Sequence, residues 1–190
     1  MPQNADFALP PDLSRPVNDG AADHLVGMPI PNICLPSTFG GLVDLSRLSS
    51  ARTVVYCYPM TGVPEKSLPR GWDGIPGALS CTHEICGFQE HYGLLLELQA
   101  EVFGLSTQTK GYQDEMANQL HLPYEILSDV DFKFCDALRL PAFEVNGMRF
   151  LKPLALIIRG GRIEHVFYPV SSPSEIADQV VQWLADHPVG

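Results

Sequence analysis

A chain of 190 residues, 45% hydrophobic and 18% charged, is long enough to enclose a core of its own. Its net charge of −10 argues against duplex nucleic acid or an anionic membrane as partner, because the 12 Lys and Arg residues are spread among 22 Asp and Glu. No stretch approaches the ~20 apolar residues of a membrane-spanning helix. Five cysteines make no secreted disulfide framework and fit a reducing compartment, so a cytoplasmic location is expected.

Residues 1–26 are polar and rich in Pro, Asn and Asp, and read as a loose arm. They hold no basic segment followed by an apolar run, so no targeting signal is expected. From residue 27 to 190 the text reads as one domain. PIPNICLP, a turn at Phe39-Gly40-Gly41, and LVDLSRL predict two short strands forming a hairpin. Thr53–Pro59 (TVVYCYP) is β-branched and aromatic throughout, the pattern of a strand buried on both faces. Residues 59–80 hold four prolines and four glycines without apolar periodicity, which predicts a long loop; 62–80 is an insertion of unassigned role.

A helix is expected next, with Ser80 as its N-cap and Ile85, Phe88, Tyr92, Leu95 and Leu96 on one stripe. Residues 101–106 read as a strand, 111–121 as a helix, 124–129 as a strand and 131–140 as a short helix. The segment 153–170 predicts a hairpin turning at Gly160-Gly161. The last helix opens on Ser172-Pro173-Ser174-Glu175, a capping box with Pro at the first helical position, and buries Ile176, Val180 and Leu184. This order fits an α/β, thioredoxin-like fold: a mixed central sheet flanked by helices, with an N-terminal β-hairpin.

The chemistry concentrates in LSCTHEICGFQE. Cys81 stands in the first turn of the expected helix, where unpaired N–H groups and the helix dipole favour an anion and so a thiolate. A thiolate is the species that attacks a peroxide oxygen. Cys86 lies off the apolar stripe beside Gln89 and Glu90. Five residues along an ideal helix separate the two Cα atoms by roughly 8–9 Å, beyond the ~7 Å a disulfide tolerates.

Other readings exist. Cys81 also extends the apolar stripe, falling four before Ile85, as a small buried hydrophobe would. A metal held by Cys81, His83 and Cys86 matches no common zinc spacing and lacks a fourth ligand. Cys34, Cys57 and Cys135 sit in apolar contexts and are expected to be inert. The six histidines form no triad spacing, and His83 reads as a surface residue.

CTHEICGFQEHY, following a strand that ends in Tyr-Pro, resembles the peroxiredoxins, in particular the bacterioferritin-comigratory (peroxiredoxin Q) group with its CTxxxC motif. The resemblance extends over about residues 27–187, through GMPIPNICLPSTFGGLVDLSRL, VVYCYPMTG, VFGLSTQT and LPYEILSD. It implies a thiol peroxidase for hydrogen peroxide and small organic hydroperoxides, without cofactor or metal. Cys81 would be peroxidatic and Cys86 resolving, and a Cys81–Cys86 disulfide would be recycled by thioredoxin or a glutaredoxin-like donor. That pairing requires the first turn of the helix to unwind. The resemblance leaves open whether the chain is a monomer or a homodimer.

Pro59 and Thr61 match the family's residues that shape the peroxide pocket. Two departures stand out. The compact loop ahead of the cysteine is replaced by the 62–80 insertion, so the position three before Cys81 is Ala78, and Thr61 or Ser80 would supply the hydroxyl. The family's arginine falls at Lys152, with Arg149 nearby. These departures keep a second reading open, a thiol–disulfide oxidoreductase or redox sensor with little peroxidase activity, and a third, an interaction domain that retains only the fold. Pro153 stands where thioredoxins carry a cis-proline, though an ordinary loop proline reads equally well there.

Overall fold

Every residue of the strand Arg52–Cys57 (β3) is buried, because it runs down the middle of a five-stranded sheet. A computed structural model describes residues 17–61 and 81–190 of the chain, with the side chain of Cys81 outside that description. β3 pairs in parallel with β4 (Ala100–Ser106), which pairs in parallel with β5 (Glu125–Ser128). On its other side β3 pairs antiparallel with β8 (Leu154–Arg159), and β8 with β9 (Arg162–Phe167), giving the order β5-β4-β3-β8-β9. A short hairpin of β1 (Cys34–Pro36) and β2 (Leu42–Asp44) turns through Gly40 and Gly41, whose φ of 90° and 73° only glycine adopts readily. This is the expected thioredoxin-like α/β architecture.

Side chains alternate across the sheet, so β3 feeds two cores. Val54 and Tyr56 face one side, where α1 (Cys81–Glu90), α2 (Tyr92–Glu97), α3 (Lys110–Leu120) and α5 (Ile176–Asp186) cover the sheet with Ile85, Phe88, Leu95, Met116 and Val180. Val55 and Cys57 face the other, closed by α4 (Lys133–Leu138) and by the segment leading into β1. Leu25 of that segment is fully buried, and the Gly27 and Ile30 amides donate to carbonyls of Ile163 and Gly161. The expected loose arm through residue 26 therefore ends earlier: from Ala22 the chain is part of the second core. Residues 1–16 and the 62–80 insertion, with Ala78 and Ser80, lie outside the described residues.

Three further differences have local causes. The single helix expected across Cys81–Leu96 is divided at His91, whose ring Nδ1 donates to the Gly87 carbonyl at 2.9 Å, and Leu96 is exposed rather than on the buried stripe. At the last helix the capping box does not form. The Glu175 amide bonds the Ser172 carbonyl in a turn, the Ser172 and Ser174 hydroxyls pair with each other, and the helix begins at Ile176, where the buried stripe begins. A hairpin absent from the sequence reading, β6 (Ala142–Val145) and β7 (Met148–Leu151), turns at Asn146-Gly147 with φ of 51° and 75°, the left-handed pair a two-residue turn requires. The Tyr168–Pro169 bond is cis and Lys152–Pro153 is not, so Pro153 does not reproduce the cis-proline. Among the described residues no helix is long and apolar enough to cross a membrane.

One close approach fixes the first core. A Cβ built on Gly104 of β4 would lie 2.5 Å from Ile126 Cδ1 and 2.8 Å from the Tyr56 hydroxyl. Tyr56 reaches Tyr124 only because β4 has no side chain there. Gly104→Ala is expected to destabilise the fold by about 1–3 kcal/mol through overpacking, measured as a lower guanidinium midpoint at unchanged slope.

Candidate active site

Cys81 is the first residue of α1. The amides of that turn lack intrahelical acceptors, and their aligned dipoles stabilise negative charge. Cys86 sits one and a half turns on, a free thiol, half-buried. Burial and then the nearby Glu90 push its pKa up, so in the folded helix it rests as the neutral thiol. The helix end thus offers a place for a thiolate at Cys81, while the environment of Cys86 holds its proton.

From Ile85 onward α1 is gripped on several sides. The Tyr124 hydroxyl donates to the Ile85 carbonyl at 2.9 Å and stands 2.9 Å from the Tyr56 hydroxyl. Phe88 stacks on Tyr56, ring centroids 4.4 Å apart and nearly parallel. Gln89 donates to the Leu120 carbonyl, and a Cβ on Gly87 would meet that of Ala177 of α5 at 3.4 Å. In the first turn Thr82 and His83 are exposed, as expected for His83, and Glu84 is fully buried with neither carboxyl oxygen hydrogen-bonded among the described residues.

The exit from β3 is fixed separately. Pro59 is buried, and Thr61 is held by its backbone: its amide donates to Gln108 Oε1 at 3.3 Å, and its carbonyl accepts from the Tyr112 hydroxyl at 2.6 Å and Gln108 Nε2 at 3.4 Å. Its own hydroxyl is buried without a hydrogen-bond partner. Tyr112 is placed by the start of α3, where the Thr109 hydroxyl caps the Tyr112 amide.

Beside this exit lies a largely apolar cavity of about 380 Å³, bounded by Met60, Gln108, Tyr112, Phe132, Phe150 and Arg149. Arg149 ion-pairs with Asp136 at 2.7 Å, lies over the Phe132 ring at 4.7 Å and donates to Cys135 Sγ at 3.5 Å. Lys152 is elsewhere. Its ammonium bonds Asp19 at 2.8 Å and Tyr168 at 3.3 Å, and these contacts, led by the Lys152 hydrogen bond, lower the Asp19 carboxyl to about 2. The structure therefore brings Thr61's neighbours and Arg149 to one cavity and leaves Lys152 tying down the N-terminal segment.

Of the remaining cysteines, Cys57 and Cys135 are buried. Desolvation raises Cys57 well above the thiol range and Cys135 to about 11, which makes both poor nucleophiles. Cys34, expected in an apolar context, is exposed on β1. Sequence reasoning passed over Glu84, Gln108, Tyr112 and Tyr124. Glu84 was legible, since it falls three after Cys81 and beside Ile85 on the buried side of the helix.

Residues 25–181 match the family model Redoxin. The chain belongs to the redoxin family. This redoxin is 30% identical over 125 residues to peroxiredoxin bcp1 of Schizosaccharomyces pombe, a match covering 64% of the chain and 56% of that protein. It is 30% identical over 158 residues to the chloroplastic peroxiredoxin Q of Oryza sativa subsp. japonica, covering 83% and 65% respectively. The matched stretch thus spans less than two thirds of the length of these relatives. Its fold is that of peroxidoxin BcpB from Mycobacterium tuberculosis (TM-score 0.70, 22% identity, 87% of this chain and 100% of that one). A Xanthomonas campestris bacterioferritin comigratory protein structure, described for its alkyl peroxide reduction activity, gives a TM-score of 0.66 at 18% identity, covering 82% and 91%.

The raised Cys86 pKa has a direct readout. In a Cys81→Ser variant, iodoacetamide labelling of Cys86, followed by peptide mass mapping, is expected to be slower at pH 7 than that of an unfolded cysteine. Its rate should still be climbing above pH 9, the ordinary thiol value. Urea unfolding should restore the ordinary profile.

Proposed function

We propose that the chain is a thiol peroxidase in which Cys81 is the peroxidatic residue and Cys86 the resolving one. The observation that carries the reading is the placement of Cys81 at the first position of α1 in a redoxin fold, with a second cysteine in the same helix. The Cys81 thiolate attacks one peroxide oxygen, the O–O bond breaks, and the sulfur is oxidised to sulfenic acid while the other oxygen leaves, with a proton, as water or alcohol. The Cys86 thiol then attacks that sulfur. The S–O bond breaks, water departs with the thiol's proton, and a disulfide remains for an external dithiol to reduce.

The intact helix holds the pair too far apart for that second step, so resolution passes through an unwound first turn. In the resting helix Cys86 is neutral, which protects it from reacting ahead of Cys81.

The substrates are hydrogen peroxide and small organic hydroperoxides, the latter supported by the apolar cavity and by the alkyl peroxide activity of the Xanthomonas relative. Thr61, through its hydroxyl, and the buried Pro59 shape the approach. Arg149, rather than Lys152, supplies the positive charge that the resemblance assigned to the family arginine. Thioredoxin or a glutaredoxin-like dithiol is the reductant, and the cysteine content points to the reducing cytoplasm.

Peroxide consumption coupled to thioredoxin and its reductase tests the reading. Cys81→Ser is expected to lower turnover to the uncatalysed rate; full turnover in that variant would exclude the mechanism. Cys86→Ser should form sulfenic acid with one equivalent of peroxide yet give no intramolecular disulfide by intact mass. Arg149→Met should reduce kcat/KM by about tenfold or more through loss of the charge–charge interaction, whereas Lys152→Met should leave kcat/KM within about twofold and lower stability instead, as exposed pairs contribute little.

A further inference from the structure

Glu84 is 0% exposed, and neither carboxyl oxygen has a hydrogen-bond partner among the described residues. An ionised carboxylate in such a place is costly, so the group is held neutral, and burial alone pushes its pKa well up. The titratable groups on its side of the sheet are Tyr56 of β3 and Tyr124 ahead of β5, and Cys57 lies on the opposite face; each is itself raised by burial and neutral at physiological pH. From α5 the charged group against α1 is Asp178, which pairs with His91 at 2.9 Å, beyond the far end of the helix. No cation among the described residues balances Glu84.

The position matters as much as the burial. Glu84 closes the first turn of α1, the turn that must unwind for an oxidised Cys81 to reach Cys86. Its carboxyl is buried in that turn without a hydrogen-bond partner among the described residues, so opening the turn is what brings it to water. We propose that Glu84 is a positioning residue for the resolving step: a buried acid that keeps the first turn of α1 poised to open. This rests on the peroxidase reading of Cys81 and Cys86.

Opening exposes the carboxyl to water, where it ionises and releases its proton to solvent. Glu84 takes part in no bond of the disulfide step itself. Because the folded pKa lies above the open-state one, its linkage favours the closed helix fully below about pH 4.5 and progressively less as pH rises toward the raised folded value. Within that window each pH unit multiplies the opening constant about tenfold.

The experiment compares the full chain with Glu84→Gln, which keeps the size and removes the ionisable proton. After one equivalent of hydrogen peroxide, samples are acid-quenched, alkylated and read by intact mass for the Cys81–Cys86 linkage between pH 5 and 8. Cys86 contributes the same pH term to both proteins, so the ratio of rates isolates Glu84. The expected result is a ratio that grows with pH and reaches about tenfold or more by pH 7, with more sulfinic acid in the variant.

Hydrogen exchange of the reduced proteins gives a readout independent of peroxide. Protection factors of the Ile85 and Cys86 amides, whose helical acceptors are the Cys81 and Thr82 carbonyls of the first turn, corrected for intrinsic exchange, should fall with pH in the natural chain and stay level in Glu84→Gln. Glu84→Met, of similar volume, is read the same way if Gln is not accommodated. A constant rate ratio with parallel protection factors overturns the inference and leaves the peroxidase reading standing. Absence of sulfenic acid on Cys81 in a Cys86→Ser background instead overturns the peroxidase reading, and with it the resolving role given to Glu84.

Discussion

Two buried tyrosine hydroxyls, 2.9 Å apart, connect the middle of the central strand to the helix that carries Cys81 and Cys86. Tyr124 spends its single proton on the Ile85 carbonyl, so its oxygen accepts from Tyr56, and β3, the start of β5 and α1 are joined in one line. Buried polar groups impose geometry because an unmade bond there is costly. The line fixes α1 at Ile85. Gly104 and the stacking of Phe88 on Tyr56 follow from the same demand, the first by making room for the Tyr56 ring and the second by covering it.

This arrangement divides α1 by function. The half that contains Cys86 is bound to the sheet and to α5, while Cys81 stands at the helix start. A helix end that binds an anion well must leave its amides unpaired, and unpaired amides also make a turn easy to unwind. On the peroxidase reading, the property that favours a thiolate at Cys81 also favours its later movement.

The order of elements and the buried stripes were legible because periodicity reports directly on burial: β3, β4, β8 and the Ile176/Val180/Leu184 face of α5 all read correctly. The Ser172–Glu175 capping box misled because side-chain and backbone pairing within a tight turn competed with the helix start. The β6–β7 hairpin was missed although Asn146-Gly147 is a strong turn signal, since its strands are short and only partly buried. At the site, the two cysteines were singled out by the helix start and by the resemblance of their motif. Whether Lys152 or Arg149 meets the cavity could not, because that depends on Asp19 and Asp136, distant in sequence from one partner or set on another helix. The tie between Lys152 and Asp19 also explains why the segment before residue 27 belongs to the fold.

At the end of β3 opposite the cysteines, Arg52 is buried against Glu164 through two hydrogen bonds of 2.7 and 2.9 Å, donates to the His187 carbonyl, and lies 5.1 Å from the Trp183 ring, which is itself stacked between His165 and His187. This gives the molecule an optical label far from its chemistry. Emission from Trp183 follows the docking of α5 on β9. A change in that emission is thus a measure of the last helix leaving the sheet.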